Sequence, residues 1–554
     1  MNFFNSLLNI KTACKSLICC LLVFTGFIAF AQKKPADTAK RTPIEIMPGT
    51  GVLQYVETDS GAINKLIGNV ILKQGESLMY CDSAYFDLAH NNVEAFGSVR
   101  IVQPGSDAQS DYMRYVGNQK QAFMKGNVML TDGKSSLWSE EVQYNTGTKV
   151  GTYGQGGTLH DSTTTLSSNS GIYNMGSKES RFTGDVIVTD LDYNIISDDL
   201  GYNTESKLMT FFGPSIVNSD SSVLKTSSGT YDSKKGIAHF NARSSILNKE
   251  QYIEADKIDY DKSSGEGHAE GQVITIDTVQ KTTLYAGKAD YNQKKRTMFA
   301  TIKPVLKQMN GEDSLFIRAD TFYSAPVPHP YDTIWVEKTV GKGKNKKTVM
   351  VKTVDSTSAA DSSAPRFFIG YHHVLIFSDS LQGRCDSISY SQKDSVMKMM
   401  YDPIVWSRKS QITGDTILLY TDSANEVRQI YVPNNALIVS QSGPDKAKLW
   451  DQVQGKTLTG DIVNNAMDHM IVKPNAEAIY YARDDDGAYM GVNEATSERM
   501  NVYFKDQAIH RILFEQDVKQ KMTPLQQADL NGMKLSRFKW LDAKRPKTLS
   551  ELFE

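Results

Sequence analysis

Acidic side chains recur close to tyrosines along this sequence, and such a pattern could support acid–base chemistry. Four residues before successive tyrosines stand Asp111, Glu140, Asp198 and Asp256. Two carboxyl groups with different pKa values can act as a general acid and a general base. A catalytic pair is needed only once, however, whereas these acids repeat at a fixed step. The pattern therefore favours polar turns or hydrogen bonds along a stack, and we predict that the protein is not an enzyme.

Three other clusters could hold a metal ion or a phosphate, but each departs from the spacing that such a site needs. His372 and His373 are neighbours in a predicted strand and would face opposite sides, which is poor for joint metal ligation. Residues 484–487 (Asp-Asp-Asp-Gly) lack the alternating ligands and the distal glutamate of a calcium loop. Residues 341–347 are rich in lysine without forming a phosphate-binding loop, although their charge could meet an anionic lipid head group. We therefore expect no metal site, no cofactor and no catalytic residue.

Two cysteines remain once the first twenty residues are set aside, namely Cys81 and Cys385, each in a Cys-Asp-Ser triplet. A disulfide between them is one reading. Two small buried thiols are the favoured alternative, because free cysteine is among the most buried residue types.

A 29-residue unit carries these side chains and is repeated nine times in register between Leu66 and Pro304. Its first column reads Leu66, Ala95, Met124, Tyr153, Phe182, Phe211, Phe240, Ala269 and Met298. The columns two, four and six residues later are mostly glycine, valine and aliphatic residues, as in Gly126, Val128 and Leu130. Only a β-strand directs residues spaced by two to one face. Glycine within a strand indicates a bend, and a fixed period indicates a stacked array, so we predict an all-β solenoid.

Composition and targeting signals bound the class of protein. The chain has 554 residues, a net charge of −2 and 40% hydrophobic residues, so no global field favours nucleic acid. Lys11 and Lys15 precede a short apolar run and an Ala-Phe-Ala site, which together are typical of a cleaved signal peptide. A retained membrane anchor is the alternative. We expect a protein exported to the periplasm, in association with the outer membrane as a further option.

The pattern divides the chain into successive segments. We predict a signal peptide (1–31), a disordered leader (32–50) and the repeat region (51–325), then a basic hairpin with a flexible linker (326–366). A divergent second repeat segment (367–522) and a C-terminal tail (523–554), short and helical or extended, would follow. The tail is expected to cap the open end of the stack.

The repeated phrase resembles a known family. Gly68-Asn69-Val70, Gly126-Asn127-Val128 and Gly184-Asp185-Val186, with Ala255-Asp256 before Tyr260-Asp261, are similar to the OstA/LptA family of lipopolysaccharide-transport proteins. The resemblance implies an elongated open β-jellyroll, folded like a taco, that forms a periplasmic bridge to the outer membrane. It also implies lipopolysaccharide (lipid A) as ligand, related jellyrolls at the inner and outer membranes as partners, and head-to-tail self-association. The chain is longer than the usual bridge protein.

A lipid carrier would need a continuous apolar trough, and the repeat columns could build one. The predicted lining residues are Val70, Leu72, Val99, Ile101, Met124, Val128, Leu130, Phe182, Val186, Val188, Phe211, Phe240 and Val273. Two other functions stay open at this point: an extracytoplasmic β-solenoid that binds or cleaves polysaccharide, and a structural scaffold or adhesin with a sealed core. The sequence leaves undecided whether the interior is open.

Overall fold

A computed structural model describes residues 42–58, 61–310, 313–327, 333–340, 347–354, 364–423, 426–464, 466–484, 486–505 and 508–554. The predicted signal peptide, residues 32–41 of the leader, residues 341–346 of the lysine-rich tip and residues 355–363 of the linker lie outside the described residues. Regular structure in the described part is β-strand except for short 3₁₀ helices at Asp445–Ala447, Leu525–Gln527, Asp542–Lys544 and Leu549–Leu552. The predicted all-β class is therefore confirmed.

Long strands open the repeat region and pair antiparallel with their neighbours in sequence. They are β3 (Gly61–Gln74), β4 (Ser77–Asp87), β5 (Asn92–Gln103), β6 (Ser106–Val116), β7 (Gln121–Thr131) and β8 (Ser135–Asn145). Two shorter strands, β1 (Glu45–Ile46) and β2 (Val52–Thr58), precede them and both pair with β3. Inward and outward residues alternate along the long strands, as the period of two requires.

Alternate long strands bend at a glycine. Gly97 and Ser98 in β5 stand together opposite Asp111 in β6, which is a β-bulge. Both bulge residues have positive φ, +72° and +45°. The same pair of left-handed residues recurs at Gly68-Asn69, Gly126-Asn127, Gly184-Asp185 and Gly271-Gln272. Because an unpaired extra residue bends a strand, the bulges fold the sheet along one line and bring the two ends of every strand together.

Elsewhere in the repeats, two short strands replace one long strand. For example, β8 pairs with two successive short strands, Val150–Tyr153 and Gly157–Asp161. The remaining strands of the region are β9 (Val150–Tyr153), β10 (Gly157–Asp161), β11 (Thr164–Ser168), β12 (Ser170–Asn174), β13 (Glu179–Thr189), β14 (Tyr193–Asn203), β15 (Leu208–Phe211), β16 (Ser215–Ser219), β17 (Ser222–Thr226), β18 (Gly229–Asp232), β19 (Ile237–Phe240), β20 (Ser244–Asn248), β21 (Gln251–Ala255), β22 (Lys257–Asp261), β23 (Glu266–Asp277), β24 (Thr282–Asn292), β25 (Thr297–Thr301), β26 (Val305–Asn310), β27 (Asp313–Arg318) and β28 (Thr321–Pro326).

The second half continues the same folded sheet, after a separate two-stranded hairpin. That hairpin is β29 (Thr333–Val340) with β30 (Lys347–Val354). The later strands are β31 (Arg366–Phe377), β32 (Gln382–Ser391), β33 (Val396–Met400), β34 (Ile404–Ser407), β35 (Ser410–Thr413), β36 (Thr416–Thr421), β37 (Val427–Val432), β38 (Ala436–Gln441), β39 (Trp450–Gly455), β40 (Thr457–Val463), β41 (Ala466–Lys473), β42 (Ala476–Arg483), β43 (Tyr489–Ser497), β44 (Arg499–Lys505), β45 (Ala508–Glu515) and β46 (Lys519–Pro524). One hydrophobic cluster runs from Leu66 to Val502, so both halves share a continuous interior.

The C-terminal tail does not cap the end of the stack, contrary to the expectation from sequence. It runs back along the sheet, where Gln452 holds the backbone of Met533 and Leu535. Near its end, Arg318 donates to the carbonyl of Glu551, and Phe553 meets Tyr285 edge-on at 5.7 Å between ring centroids. Both faces of β39 are buried as a result, which a tail confined to the end could not achieve.

Candidate functional site

The interior between the two halves of the folded sheet is the candidate site, and the predicted lining residues all lie in it. Each of the thirteen is at most 2% exposed, and all belong to the one continuous hydrophobic cluster. Their own side chains therefore fill this part of the interior. The structure gives no contact of these residues with a ligand, so their lipid-lining role stays a prediction.

A second inner column lies beside the predicted one on the same face of the sheet, and the sequence analysis did not identify it. It contains Met79, Ala108, Leu137, Leu166 and Ile195, each at most 2% exposed. These residues also recur every 29 positions, so the signal was present in the repeat. Pairing across the ladder brings the columns together, as in Leu137 opposite Leu130 and Ile195 opposite Val188.

The two rims of the folded sheet meet in a line of side-chain contacts, which we call the seam. The hydroxyl of Tyr144 donates to Oε1 of Gln103 at 2.6 Å, and Tyr115 contacts Gln74 in the same way. Two repeat units further along the chain, the hydroxyl of Tyr202 donates to Oδ2 of Asp161 at 2.8 Å. Burial raises the pKa of Tyr144 to about 12, so this hydroxyl keeps its proton and remains a donor at neutral pH.

Lysines of one column reinforce the seam. The ammonium groups of Lys178 and Lys207 contact the carboxylates of Asp132 and Asp161, which are 2% and 4% exposed. Burial raises the pKa of Asp132, but Lys178 and nearby backbone N–H groups outweigh burial, so the pKa lies below its ordinary value. The acceptors Gln74, Gln103, Asp132 and Asp161 are again 29 residues apart. Sequence reasoning recognised the tyrosine column but not the acceptors that it meets.

The acids that precede the tyrosines lie at the bend. Asp111 accepts a hydrogen bond from Nδ2 of Asn127 at 2.8 Å, across the bulge of the next strand. A Cβ added at Gly126 would come within 2.6 Å of Oδ2 of Asp111, so the carboxylate occupies the space that glycine leaves. The geometry gives this acid a role in holding the bend, in agreement with the structural reading of the sequence.

The other chemical candidates are isolated from one another. His372 and His373 lie within a strand, as predicted, and form the bulge of β31, with φ of +60° and +52°. Their Nδ1 atoms contact different acids, Asp386 at 3.2 Å and Asp320 at 2.7 Å. Among the described residues, no group of three or more His, Cys, Asp or Glu side chains could hold a metal ion.

The acidic turn at Asp484 and the two cysteines also have structural explanations. Oδ1 of Asp484 accepts the backbone N–H groups of Asp486 and Ala488, which makes a turn, while residue 485 lies outside the described residues. Cys81 and Cys385 are free, buried thiols, as the sequence favoured. Burial raises the pKa of Cys81 to about 11 and that of Cys385 to about 12, which leaves both unreactive near neutral pH.

Comparison with known proteins locates one family within the chain. Residues 50–198 match the model of the family described as OstA-like protein, so the resemblance drawn from the repeated phrase is confirmed for this segment. Among solved structures, the chain is similar to LptH, the LptA homologous periplasmic component of the conserved lipopolysaccharide transport device from Pseudomonas aeruginosa. The identity is 15%, the match covers 26% of this chain and 95% of that chain, and the TM-score is 0.21. No curated protein matches the chain. In the described part, none of the helices has the length and apolarity that crossing a membrane would take.

Proposed function

We propose that the protein is a non-catalytic, periplasmic component of lipopolysaccharide transport that shields the acyl chains of lipid A inside its folded sheet. The OstA-like segment at residues 50–198 supports this class of function. The observation that carries the proposal is the uninterrupted apolar interior, which extends from Leu66 to Val502.

The physical reason for such an interior is the cost of exposing lipid to water. Each buried CH₂ group is worth about 0.8 kcal/mol, so a chain of roughly a dozen carbons gains on the order of 10 kcal/mol from shielding. A path of repeated, similar apolar residues offers this gain at every level without one tight stopping point. Because side chains fill the interior of the early units, passage requires the seam to part and the inner side chains to move aside.

Docking at the ends of the stack is part of the proposal. Strand β2 forms the first edge and exposes Val52, Leu53 and Tyr55 by 55%, 57% and 69%. An unpaired strand edge can accept a strand of another sheet. We propose that related jellyroll proteins, or a second copy of this chain, add to such an edge to extend the path between the inner and outer membranes.

Site-specific photo-crosslinking tests the proposed lipid path. A benzophenone amino acid at Val186, on the inner face of β13, should capture lipopolysaccharide. The same residue at neighbouring Ile187, which is 48% exposed on the outer face, is the matched control and should capture far less. Equal capture at both positions, or none at Val186, would contradict the assignment.

A closed structural scaffold is the second candidate, and the filled interior of the first units favours it. It predicts that no lipid accompanies the mature protein through purification and that benzophenone at inner positions captures only the protein's own strands. Extraction of the purified protein and mass spectrometry of the extract separate the two candidates.

A further inference from the structure

The seam changes its composition partway along the stack. The lysine column continues from Lys149, Lys178 and Lys207 to Gly236 and Gly265 at the same 29-residue step. Asp190, which would receive the ammonium at position 236, instead accepts hydrogen bonds from Thr163 and Thr164. We call each level at which a lysine can pair across the seam a rung. Two successive rungs thus lack the lysine that pairs with Asp132 and Asp161 at the earlier levels.

The inner columns become half-buried at the same level. Leu130, Leu159 and Val188 are at most 1% exposed, whereas Val217 and Ile246, one and two steps later, are half-buried. All three inner columns next to the seam change together, and their half-buried members are Val217, Leu224, Tyr231, Ile246, Ile253 and Tyr260. A coordinated change in three columns indicates a gap between the rims and not a local packing defect.

The bend stays closed behind this gap. Phe211, Phe240 and Ile258 are at most 2% exposed, so the opening is one-sided and has an apolar floor. Further along the same inner row, Leu284 is 6% exposed and Ile317 is 1% exposed, with the half-buried Leu306 between them, so the interior narrows again beyond the gap. The result is a lateral slit that narrows towards both ends.

The length of the slit suits one acyl chain. Strands β16, β17, β20 and β21 lie side by side along one rim. At about 4.8 Å between neighbouring strands, the four cover roughly 14 Å. One leaflet of a bilayer hydrocarbon core is about 15 Å thick, which is the span of one layer of acyl chains.

One rim of the slit presents exposed Asp220 and Glu250 in its turns, whereas the rim that carries Tyr231 and Tyr260 is basic. Its turns present exposed Lys234, Lys235 and Lys262, followed by Lys294 and Lys295. Of these, Lys235 also pairs with Asp232 of its own turn at 3.2 Å. A cavity of about 470 Å³ adjoins the slit at Tyr260, and its charged lining is mainly acidic, with Asp259, Asp261, Glu266 and Asp290 beside Lys295. Apolar floor and cationic rim together complement an amphiphile with an anionic head group.

We propose that the slit formed by residues 217–260 is a lateral opening, through which an acyl chain of lipopolysaccharide enters or leaves the interior while its anionic groups bind the basic rim. This inference rests on the proposed function and adds the place where the lipid crosses the seam. A lipid is the occupant that the slit favours, because its walls are the inner faces of the fold and its mouth is charged.

Photo-crosslinking on the full mature chain tests the opening. Benzophenone at Leu224 and Ile246 should capture added lipopolysaccharide more strongly than benzophenone at Leu247, an outward neighbour that is 49% exposed. Inner positions of the closed seam, Leu130 and Ile195, serve as the second comparison. Capture at Leu130 and Ile195 without capture at Leu224 and Ile246 would overturn the opening and leave the proposed function standing. No capture at any inner position would overturn both.

Restoring the missing rung provides an independent test. Gly236→Lys places an ammonium where Lys207 stands one unit earlier, at a backbone φ of +73° that is close to the +62° of Lys207. We expect it to lower capture at Ile246 by about fivefold, the effect of one charge-assisted hydrogen bond across the rims. Gly236→Ala adds the same Cβ without the charge and should leave capture unchanged. Equal effects of the two variants would contradict the role of the rung.

A third arm identifies the occupant. Vesicles of phosphatidylglycerol replace lipopolysaccharide in the same crosslinking reaction at Ile246. Capture of phospholipid in preference to lipopolysaccharide, or a crosslink to a second copy of the chain, would overturn the assignment of the ligand.

Discussion

Lys178 and Lys207 show how single residues hold this fold shut. Each ammonium lies against a carboxylate that is almost fully buried, and neither partner is close in sequence. A buried carboxylate that loses its cation is costly, because the charge is then neither hydrated nor paired. At the residue scale, the seam is therefore a set of separate contacts that substitutions can open one at a time.

Substitution of Lys207 tests the strength of a rung. Lys207→Met keeps the aliphatic stem but leaves Asp161 with only neutral donors such as the Tyr202 hydroxyl. We expect the free energy of unfolding to fall by about 1–3 kcal/mol, the cost of an unpaired buried group. Urea denaturation, together with hydrogen exchange in β10 and β14, measures the change.

Lys149→Met is the matched control in the same column. Its ammonium contacts the carbonyl oxygen of Pro104, a neutral acceptor, so the substitution leaves no charged partner unpaired. The control should cost less than about 1 kcal/mol. Equal losses in the two variants would show that the buried carboxylate of Asp161 does not depend on Lys207.

The bend is the feature that acts at the scale of the elements. Six strands fold at two consecutive residues with positive φ, and the first residue is glycine in five of them, with His372 in its place in β31. An L-residue in that conformation costs roughly 1–2 kcal/mol. Asp111 and its equivalents then occupy the space beside the glycine, so conformation and packing both specify this residue.

Comparing Gly126→Ala with Gly133→Ala separates the conformational requirement for glycine from the packing requirement. The new Cβ would meet Oδ2 of Asp111 at 2.6 Å in addition to the unfavourable φ of +74°. Gly133→Ala, in a hairpin with φ of +86° and nothing within 4 Å, carries the conformational cost alone. We expect Gly126→Ala to destabilise the protein by about 1 kcal/mol more than Gly133→Ala in urea denaturation. A smaller loss at Gly126 would argue that the bend does not depend on close packing of Asp111.

The tail is the second determinant at this scale. Gln411, Gln452 and Gln454 are at most 2% exposed although they are polar, because each bonds to a segment of the tail. A strand with both faces buried loses the alternation of apolar and polar residues by which a repeat is recognised in a sequence. Coverage by the tail accounts for part of the weaker repeat after residue 367.

At the scale of the whole molecule, β2 is the first edge of the stack and pairs only with β3 within the described residues. Edge strands of soluble proteins are commonly protected by charge, and lysine is the usual choice. Strand β2 instead exposes apolar side chains over its length. This edge is therefore suited to pairing with another sheet.

Lysine on the edge tests that pairing. Leu53→Lys with Tyr55→Lys should reduce self-association of the mature protein, because like charges would oppose each other across the new strand pair. Sedimentation velocity over a range of protein concentrations provides the measurement. Leu191→Lys changes an 82% exposed leucine away from the edge and should leave association as it is. Unchanged association in the double variant would assign any oligomer to a different surface.

The sequence by itself determined the strand class, the unit length, the bends and the inner columns from Val70 to Val273, because these depend on local alternation and on glycine geometry that recurs in every copy. Only the tertiary structure decided which groups meet across the seam, where the rims separate, and that the tail lies along the sheet. Those features depend on contacts between residues about 40 to 270 positions apart, such as Tyr202 with Asp161 and Tyr285 with Phe553. No spacing within one unit encodes such pairs, because folding along the bend brings together the opposite ends of different strands.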